Sequence, residues 1–370
     1  VKVMFIVYHD IQTEARSQEI LECAKKLSDE TILVSYSKPF DTSNYKCILT
    51  GNGERNYFSF IKGAIKAIKN ENPDIVILHD NYTSTILRWI TKHRKNIYVI
   101  YDSSELYIGK NGKRRTLKMK IAEHMRYFER KYLKYANIVI AANIERANIM
   151  KDYYGLDEVP IVFDNIHRID DTFNVVECEQ KYGHLFNSDS FNILYAGGIA
   201  EHRLTFELAE AVGKLGSKYQ LIVIGQSTAK DKDKFNSMLS TMKYSNIFYA
   251  GFISRGEMKY MLKNTNVSVS IFALDTVNNI NCASGKLYES LFEGIPLLTS
   301  ENPPLKRICT DYKVGISSND FSQAIVELEG NYDYFIENVK VYTESLDVEG
   351  RIDTLVEQLK EKMKTDNIII

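Results

Sequence analysis

Short runs of β-branched and aromatic residues alternate with longer amphipathic stretches almost from end to end of the chain. Short apolar runs bounded by turn residues read as strands, and apolar residues recurring every three or four positions read as helices. In the first half the pattern predicts strands over 3–8, 31–36, 46–50, 74–79, 96–101, 137–141 and 161–163. Helices are predicted over 14–27, 58–69 and from about 115 to 135. A second strand series starts at Asn192 and continues over 220–224, 247–249, 267–271 and 296–299. Helical segments follow Asp320 and span 348–364. Between the series, residues 164–190 are poor in apolar periodicity and rich in Asp, Asn and His, which places the inter-domain connection there. Each series has its own strands and so its own core. The predicted fold class is α/β, with two Rossmann-like lobes facing a cleft. The boundaries are 1–165 and 166–345, with 346–370 crossing back onto the first lobe.

Composition narrows the class without naming it. The 370 residues suit two domains, and 44% apolar with 26% charged residues excludes a disordered or collagen-like chain. Lys and Arg number 47 against 48 Asp and Glu, so no overall basic excess points to nucleic acid. No apolar run approaches the roughly 18 residues of a membrane span, and the apolar N-terminal run is too short for a signal peptide. Cys23, Cys47, Cys178, Cys282 and Cys309 are scattered with no CxxC pair, which fits reduced thiols in a cytoplasm and no zinc site.

Two segments carry candidate chemistry. Tyr195-Ala-Gly-Gly-Ile-Ala-Glu-His-Arg203 follows a predicted strand and precedes a predicted helix over 204–215. Gly197 and Gly198 at such a junction let backbone amides and a helix N-terminus meet a phosphate, and Arg203 adds a fork of donors. A tight βα turn needs the same glycines for its backbone angles alone. The segment is not GxGxxG, so a dinucleotide site is not supported. In the second, running from Asn278 to Pro296, Ser284 reads as an N-cap, Leu287, Leu291 and Phe292 give the helical period, and Gly294-Ile-Pro ends the helix. Lys286 then lies in the first turn, an odd place for a cation unless an anion binds there. Glu289 falls on the same face one turn deeper, suited to a pair of ribose hydroxyls. An isolated Lys-x-x-Glu also describes an ordinary ion pair on a solvated helix.

Together these segments resemble the donor half of glycosyltransferase family 4, enzymes of the GT-B fold. In that family an Arg and a Lys hold the donor diphosphate and a Glu holds the ribose; Arg203, Lys286 and Glu289 match those positions. Tyr101-Asp-Ser-Ser-Glu-Leu-Tyr107 is similar to the family's YDSHEL segment, and Val162-Phe-Asp-Asn165 to its VVYN segment. The resemblance implies a cytoplasmic, metal-independent, retaining hexosyltransferase of bacterial surface-polysaccharide synthesis. Its nucleotide-sugar is a substrate rather than a cofactor, a UDP-sugar being favoured over a GDP-sugar, and its acceptor is a glycan or lipid-linked glycan. Donor-side residues would be Gly197, Gly198, Arg203, Asn281, Ser284, Lys286, Leu287 and Glu289. Three departures stand out: Asn281 replaces the first Glu of the paired-glutamate motif, Ser104 replaces the motif histidine, and the loop from His9 lacks the usual glycine pair.

The front-face mechanism of such enzymes needs no side-chain base. Asp102 and Glu105, at the C-terminal end of a strand, are nevertheless the carboxylates best placed for catalysis, unless they merely cap the next loop. His9, Asp10 and Ser104 would line the acceptor side. A basic stretch from Lys110 to Lys134, with Lys113, Arg114, Arg115 and Lys118 at its start, is interleaved with apolar residues at helical spacing, as docking on an anionic membrane requires. A helix packed by its apolar stripe would show the same pattern. Two other readings compete. One is a nucleotide-sugar 2-epimerase, which needs histidines and carboxylates around the sugar, and none of the seven histidines is clustered in a motif. The other is a catalytically silent partner subunit.

Overall fold

The computed structural model describes residues 1–39, 42–109, 116–200 and 203–367, with the backbone alone of 52, 117 and 118. Val1–Asn165 with Val348–Ile370 forms one compact unit, and Ile166–Asp347 a second.

The first unit is built on seven parallel strands: β1 (Lys2–Ile6), β2 (Glu30–Ser35), β3 (Lys46–Leu49), β4 (Ile75–His79), β5 (Tyr98–Ser103), β6 (Ile138–Ala141) and β7 (Ile161–Val162). They lie in the order β3-β2-β1-β4-β5-β6-β7. Its helices are α1 (Ala15–Lys26), α2 (Tyr57–Glu71), α3 (Ser84–His93), α4 (Leu117–Tyr132) and α5 (Ile144–Tyr154). The central strands are covered on both faces, which is why they read as unbroken apolar runs: Val3 to Val7 and Ile75 to Leu78 are essentially inaccessible.

The second unit has six parallel strands: β8 (Phe191–Ala196), β9 (Tyr219–Ile224), β10 (Ile247–Gly251), β11 (Val267–Ser270), β12 (Leu297–Thr299) and β13 (Gly315–Ser317), ordered β10-β9-β8-β11-β12-β13. Its helices are α6 (Val175–Tyr182), α7 (Thr205–Leu215), α8 (Ala229–Met242), α9 (Arg255–Lys263), α10 (Val277–Ile280), α11 (Gly285–Phe292), α12 (Pro303–Tyr312), α13 (Phe321–Gly330) and α14 (Tyr332–Ser345). The last helix, α15 (Arg351–Thr365), belongs to the first unit. Leu355, Val356, Leu359 and Met363 join Ile20, Leu21 and Ala24 of α1 in one core, and Arg351–Glu19 and Lys26–Asp353 ion pairs border the contact. This return of the C-terminal helix is the crossing that the pattern predicts.

Each predicted strand forms, with ends shifted by up to two residues; β13 is the addition, three residues too short to show a period. Residues 164–190 differ more. They hold α6, and Ile169, Cys178, Tyr182 and Leu185 are buried in the second unit's core, so the stretch from Ile166 is part of that unit and not a free connection. Its apolar residues are few, and the helical spacing of 178, 182 and 185 is hidden among polar neighbours. Among the described residues no helix is long and apolar enough to cross a membrane.

Candidate functional site

In each sheet the strand order reverses between two central strands, β1 and β4 in the first and β8 and β11 in the second. Loops leaving the C-terminal ends of such strands diverge and leave a crevice, the usual ligand position in open α/β sheets.

In the second unit the loop after β8 carries the glycine pair. Gly198 has φ +73°, its N–H donates to the Ile224 carbonyl at 2.8 Å, and a Cβ there would stand 2.0 Å from the Gln226 carbonyl oxygen. A Cβ on Gly197 would meet the Tyr195 hydroxyl at 2.2 Å. Gly198 is therefore required by the turn itself, Gly197 leaves room for the Tyr195 ring, and the Ile199 amide is already taken by Ser227 Oγ at 2.6 Å. Leu204, just before α7, sits in the left-handed region at φ 56°, a strained position for a leucine. Glu201 and His202 of this motif lie outside the described residues.

Two cations converge on this strand end. The Arg203 guanidinium donates to the Gly197 carbonyl at 2.7 Å, and the Lys286 ammonium donates to the Ala196 carbonyl at 2.6 Å. Among the described residues neither has a carboxylate within ion-pair distance. Burial of its ammonium against the loop, reinforced by the like charge of Arg203 and opposed by Glu289, lowers the Lys286 pKa. Lys286 is the second residue of α11, so it stands beside the first-turn amides.

Several predicted donor residues are placed differently from expectation. Ser284 occupies the N-cap of α11 but makes no capping bond; its Oγ accepts from Ser270 Oγ at 3.3 Å. The Leu287 side chain lies in the apolar core with Leu291 and Leu305, so it is a packing group, while the Leu287 amide, third in α11, is one of the first-turn donors. Asn281 is buried and uses its amide to bond the Val277 carbonyl at 2.9 Å. Glu289 pairs with Arg255 of α9 at 3.5 Å rather than with Lys286, and Arg255 also reaches Asp171.

In the first unit His9 and Asp10 follow β1, Asp80 follows β4, and Ser104 and Glu105 follow β5. Asp80 is inaccessible and holds φ 56°. Its carboxylate faces four donors: Ser104 N–H (2.8 Å), Ser104 Oγ (2.6 Å), Glu105 N–H (3.4 Å) and His9 Nε2 (3.0 Å). Burial alone would raise its pKa; His79, His9 and Ser104 outweigh that and hold it well below the carboxylate range. Ionised Asp80 can only accept, so His9 carries its hydrogen on Nε2.

Asp102 is not available as a catalytic carboxylate. It is fully buried, accepts from Arg16 Nη2 at 2.6 Å and Nε at 3.1 Å, and accepts from His79 Nδ1 at 2.7 Å. A strand end that looks solvent-facing in sequence is covered here by α1, which supplies Arg16. Burial pushes His79 toward neutrality, but Asp80, the bonded Asp102 and Glu14 together raise its pKa to about 9. Among the described residues its buried Nε2 has no hydrogen-bond partner, and it lies 3.6 Å from Glu14 and 3.8 Å from Asp80. Glu105 is half exposed and held by Arg146 at 3.1 Å, whereas Asp10 accepts from the Gln12 amide at 3.2 Å and shapes its own loop.

Arg16, His79 and Asp80 are the residues that sequence reading missed. The available signal was a His-Asp pair ending an apolar strand and a lone Arg on the buried face of α1. The fold also clusters histidines that no motif clusters: the His9 and His79 rings are 5.1 Å apart. Among the described residues, His9, His79 and Asp80 have ligand atoms within 4.8 Å of one another, a set that could hold a metal ion. An ion there would have to displace the proton that His79 keeps to about pH 9. Lys113, Arg114 and Arg115 lie outside the described residues, as does the side chain of Lys118.

No family model and no curated protein sequence matches the chain. Solved structures do. Sucrose-phosphate synthase from Thermosynechococcus elongatus superposes with a TM-score of 0.74 at 13% identity, covering 99% of each chain. HepE from Anabaena, in complex with UDP, gives 0.70 at 9% identity over 98% of this chain and 100% of its own. A glycosyltransferase from Rickettsia africae gives 0.69 at 13% identity over 98% of each. This chain therefore has the GT-B fold that these glycosyltransferases share.

Proposed function

We propose that the protein is a glycosyltransferase that moves a hexosyl group from a nucleotide-sugar to an acceptor hydroxyl with retention of configuration, in the synthesis of a bacterial surface polysaccharide. The observation that carries the reading is the pair Arg203 and Lys286. Two cations with no carboxylate partner among the described residues share one strand end beside a helix start, an arrangement that an anion such as a diphosphate relieves. Fixed cations of this kind stabilise a departing diphosphate without a metal ion. Glu289 is oriented by Arg255 and suits ribose hydroxyls. HepE structures containing UDP and UDP-glucose favour a uridine donor on the same fold. The nucleotide-sugar is consumed as substrate, and no further cofactor enters this account. A glycan or lipid-linked glycan is the acceptor, and the first unit is its side, with His9 as the group that meets its hydroxyl and the buried Asp80 orienting the His9 ring.

The test is a thermal-shift panel of UDP, GDP and the corresponding nucleosides, followed by nucleotide-sugar turnover with and without lipid extract. At equal concentration UDP should raise the melting temperature well beyond the rise with uridine. Indifference to every nucleotide diphosphate would remove the donor site. A second reading, a nucleotide-sugar 2-epimerase, gains from the His9–His79–Asp80 cluster. A changed sugar in a nucleotide-sugar incubated without acceptor would favour it.

A further inference from the structure

Transfer by the groups described above leaves one buried polar atom without a role. His79 closes β4 and is fully buried, and among the described residues its Nε2 has no hydrogen-bond partner. The other ring nitrogen, Nδ1, donates to Asp102 at 2.7 Å, and Asp102 is held in turn by Arg16. A histidine fixed by a carboxylate through one nitrogen presents the other as a ligand, the usual support of a metal-bound imidazole. Phe5 packs edge-on against the ring at 6.2 Å and helps to hold its direction. The atoms that Nε2 faces are ligands as well. Asp80 Oδ2 lies 3.8 Å away, and His9 Nε2 bonds that same oxygen at 3.0 Å. One ligand atom from each of the three residues thus lies within 4.8 Å of the others. The Ser104 and Glu105 N–H groups fix Asp80 Oδ1, which leaves Oδ2 turned to the histidines. Glu14 Oε2, 3.6 Å from His79 Nε2, adds a further negative charge.

We propose that the first unit binds one divalent transition-metal ion of the zinc class through His9 Nε2, His79 Nε2 and Asp80 Oδ2. Three protein ligands leave a fourth tetrahedral position for water, and the His9 side chain, 24% exposed, gives the ion its way in. Two imidazoles with one carboxylate select zinc over magnesium or calcium, which take oxygen ligands. The negative field of Asp80, Asp102 and Glu14 keeps a proton on His79 to about pH 9, and the same field favours a dication in that proton's place. Binding releases the His79 proton, and the His9 hydrogen moves from Nε2 to Nδ1. The site lies within the first unit and does not depend on the donor reading, in which fixed cations hold the diphosphate.

The experiment titrates the whole chain, stripped of metal with a chelator and free of nucleotide, with Zn²⁺ by calorimetry and with Co²⁺ by visible absorption. One equivalent of Zn²⁺ should bind, Co²⁺ should give the intense visible bands of a four-coordinate site, and Mg²⁺ should not compete. His9→Ala removes a partly exposed ligand, so the metal-free variant should melt near the parent while Zn²⁺ binding weakens about tenfold or more. Zn²⁺ should raise the melting temperature of the parent well beyond that of His9→Ala. His93→Ala, which removes an exposed histidine outside the cluster, should bind like the parent. The proposal is overturned if the parent takes up no Zn²⁺, or if Mg²⁺ at equal concentration displaces it. It is equally overturned if His9→Ala binds like the parent, which would mark an adventitious surface site. No nucleotide takes part in these titrations, so failure here and failure of the donor site are read separately.

Discussion

His9 Nε2 lies 3.0 Å from Asp80 Oδ2, although the two residues come from loops 71 positions apart in the chain. Asp80 is buried and ionised and is held from behind by Ser104, so it fixes the imidazole ring of His9 with Nδ1 turned away from the carboxylate. With Nε2 bonded to Asp80, the ring has Nδ1 left to meet an acceptor hydroxyl. His9→Ala should therefore lower the transfer rate at least tenfold and leave nucleotide diphosphate affinity as it was. The melting temperature should change little, since His9 is partly exposed. An unaltered rate would confine the pair to holding the loop.

Asp102 and Arg16 make the opposite prediction. Both are buried, and removing one leaves the other charge unpaired, so Asp102→Ala should destabilise the first unit by about 3–5 kcal/mol in urea unfolding. If Asp102→Asn instead abolished transfer with the stability of the parent, a catalytic role would have to be restored to it.

The His79 imidazolium sets a pH dependence. Its pKa is raised from the ordinary 6.5 to about 9 in the folded chain. The stability that it contributes is complete below about pH 6.5 and is lost as pH rises through about 9. The change amounts to at most about 3 kcal/mol. Hydrogen exchange of the β4 and β5 amides should report this loss in the parent. In His79→Gln it should be absent, and a slope that survives the substitution would assign the effect elsewhere.

Glu289 is oriented by Arg255 and is not spent on Lys286. Glu289→Gln should weaken donor binding by about 1.5–3 kcal/mol if the carboxylate accepts from ribose hydroxyls. Comparing a nucleotide diphosphate with its 2′,3′-dideoxy analogue isolates the contact. The parent should prefer the first and the variant should discriminate little; equal discrimination by both would remove the ribose assignment.

The fold was legible because most strands of both sheets are apolar on both faces and separated by helix-length segments, a pattern that survives without any alignment. β13 and α6 were not, one having too few residues for a period and the other few apolar ones. Lys286 and Arg203 were legible through helix-end chemistry, since a cation at a helix start is locally unfavourable. The Asp80 network was not. Its members come from α1, β4 and the loops after β1 and β5, and only the parallel sheet order brings them together. Asp102 shows the converse error: it sits in a suggestive motif, yet packing buries its carboxylate against Arg16.

The central claim is that Arg203 and Lys286 form a diphosphate site. Calorimetric titration of UDP and uridine into the parent, Arg203→Ala and Lys286→Ala tests it most directly. Each substitution should weaken UDP binding about tenfold or more, by loss of a charge-assisted contact, and leave uridine binding within about twofold. UDP affinities in both variants equal to that of the parent would contradict the account.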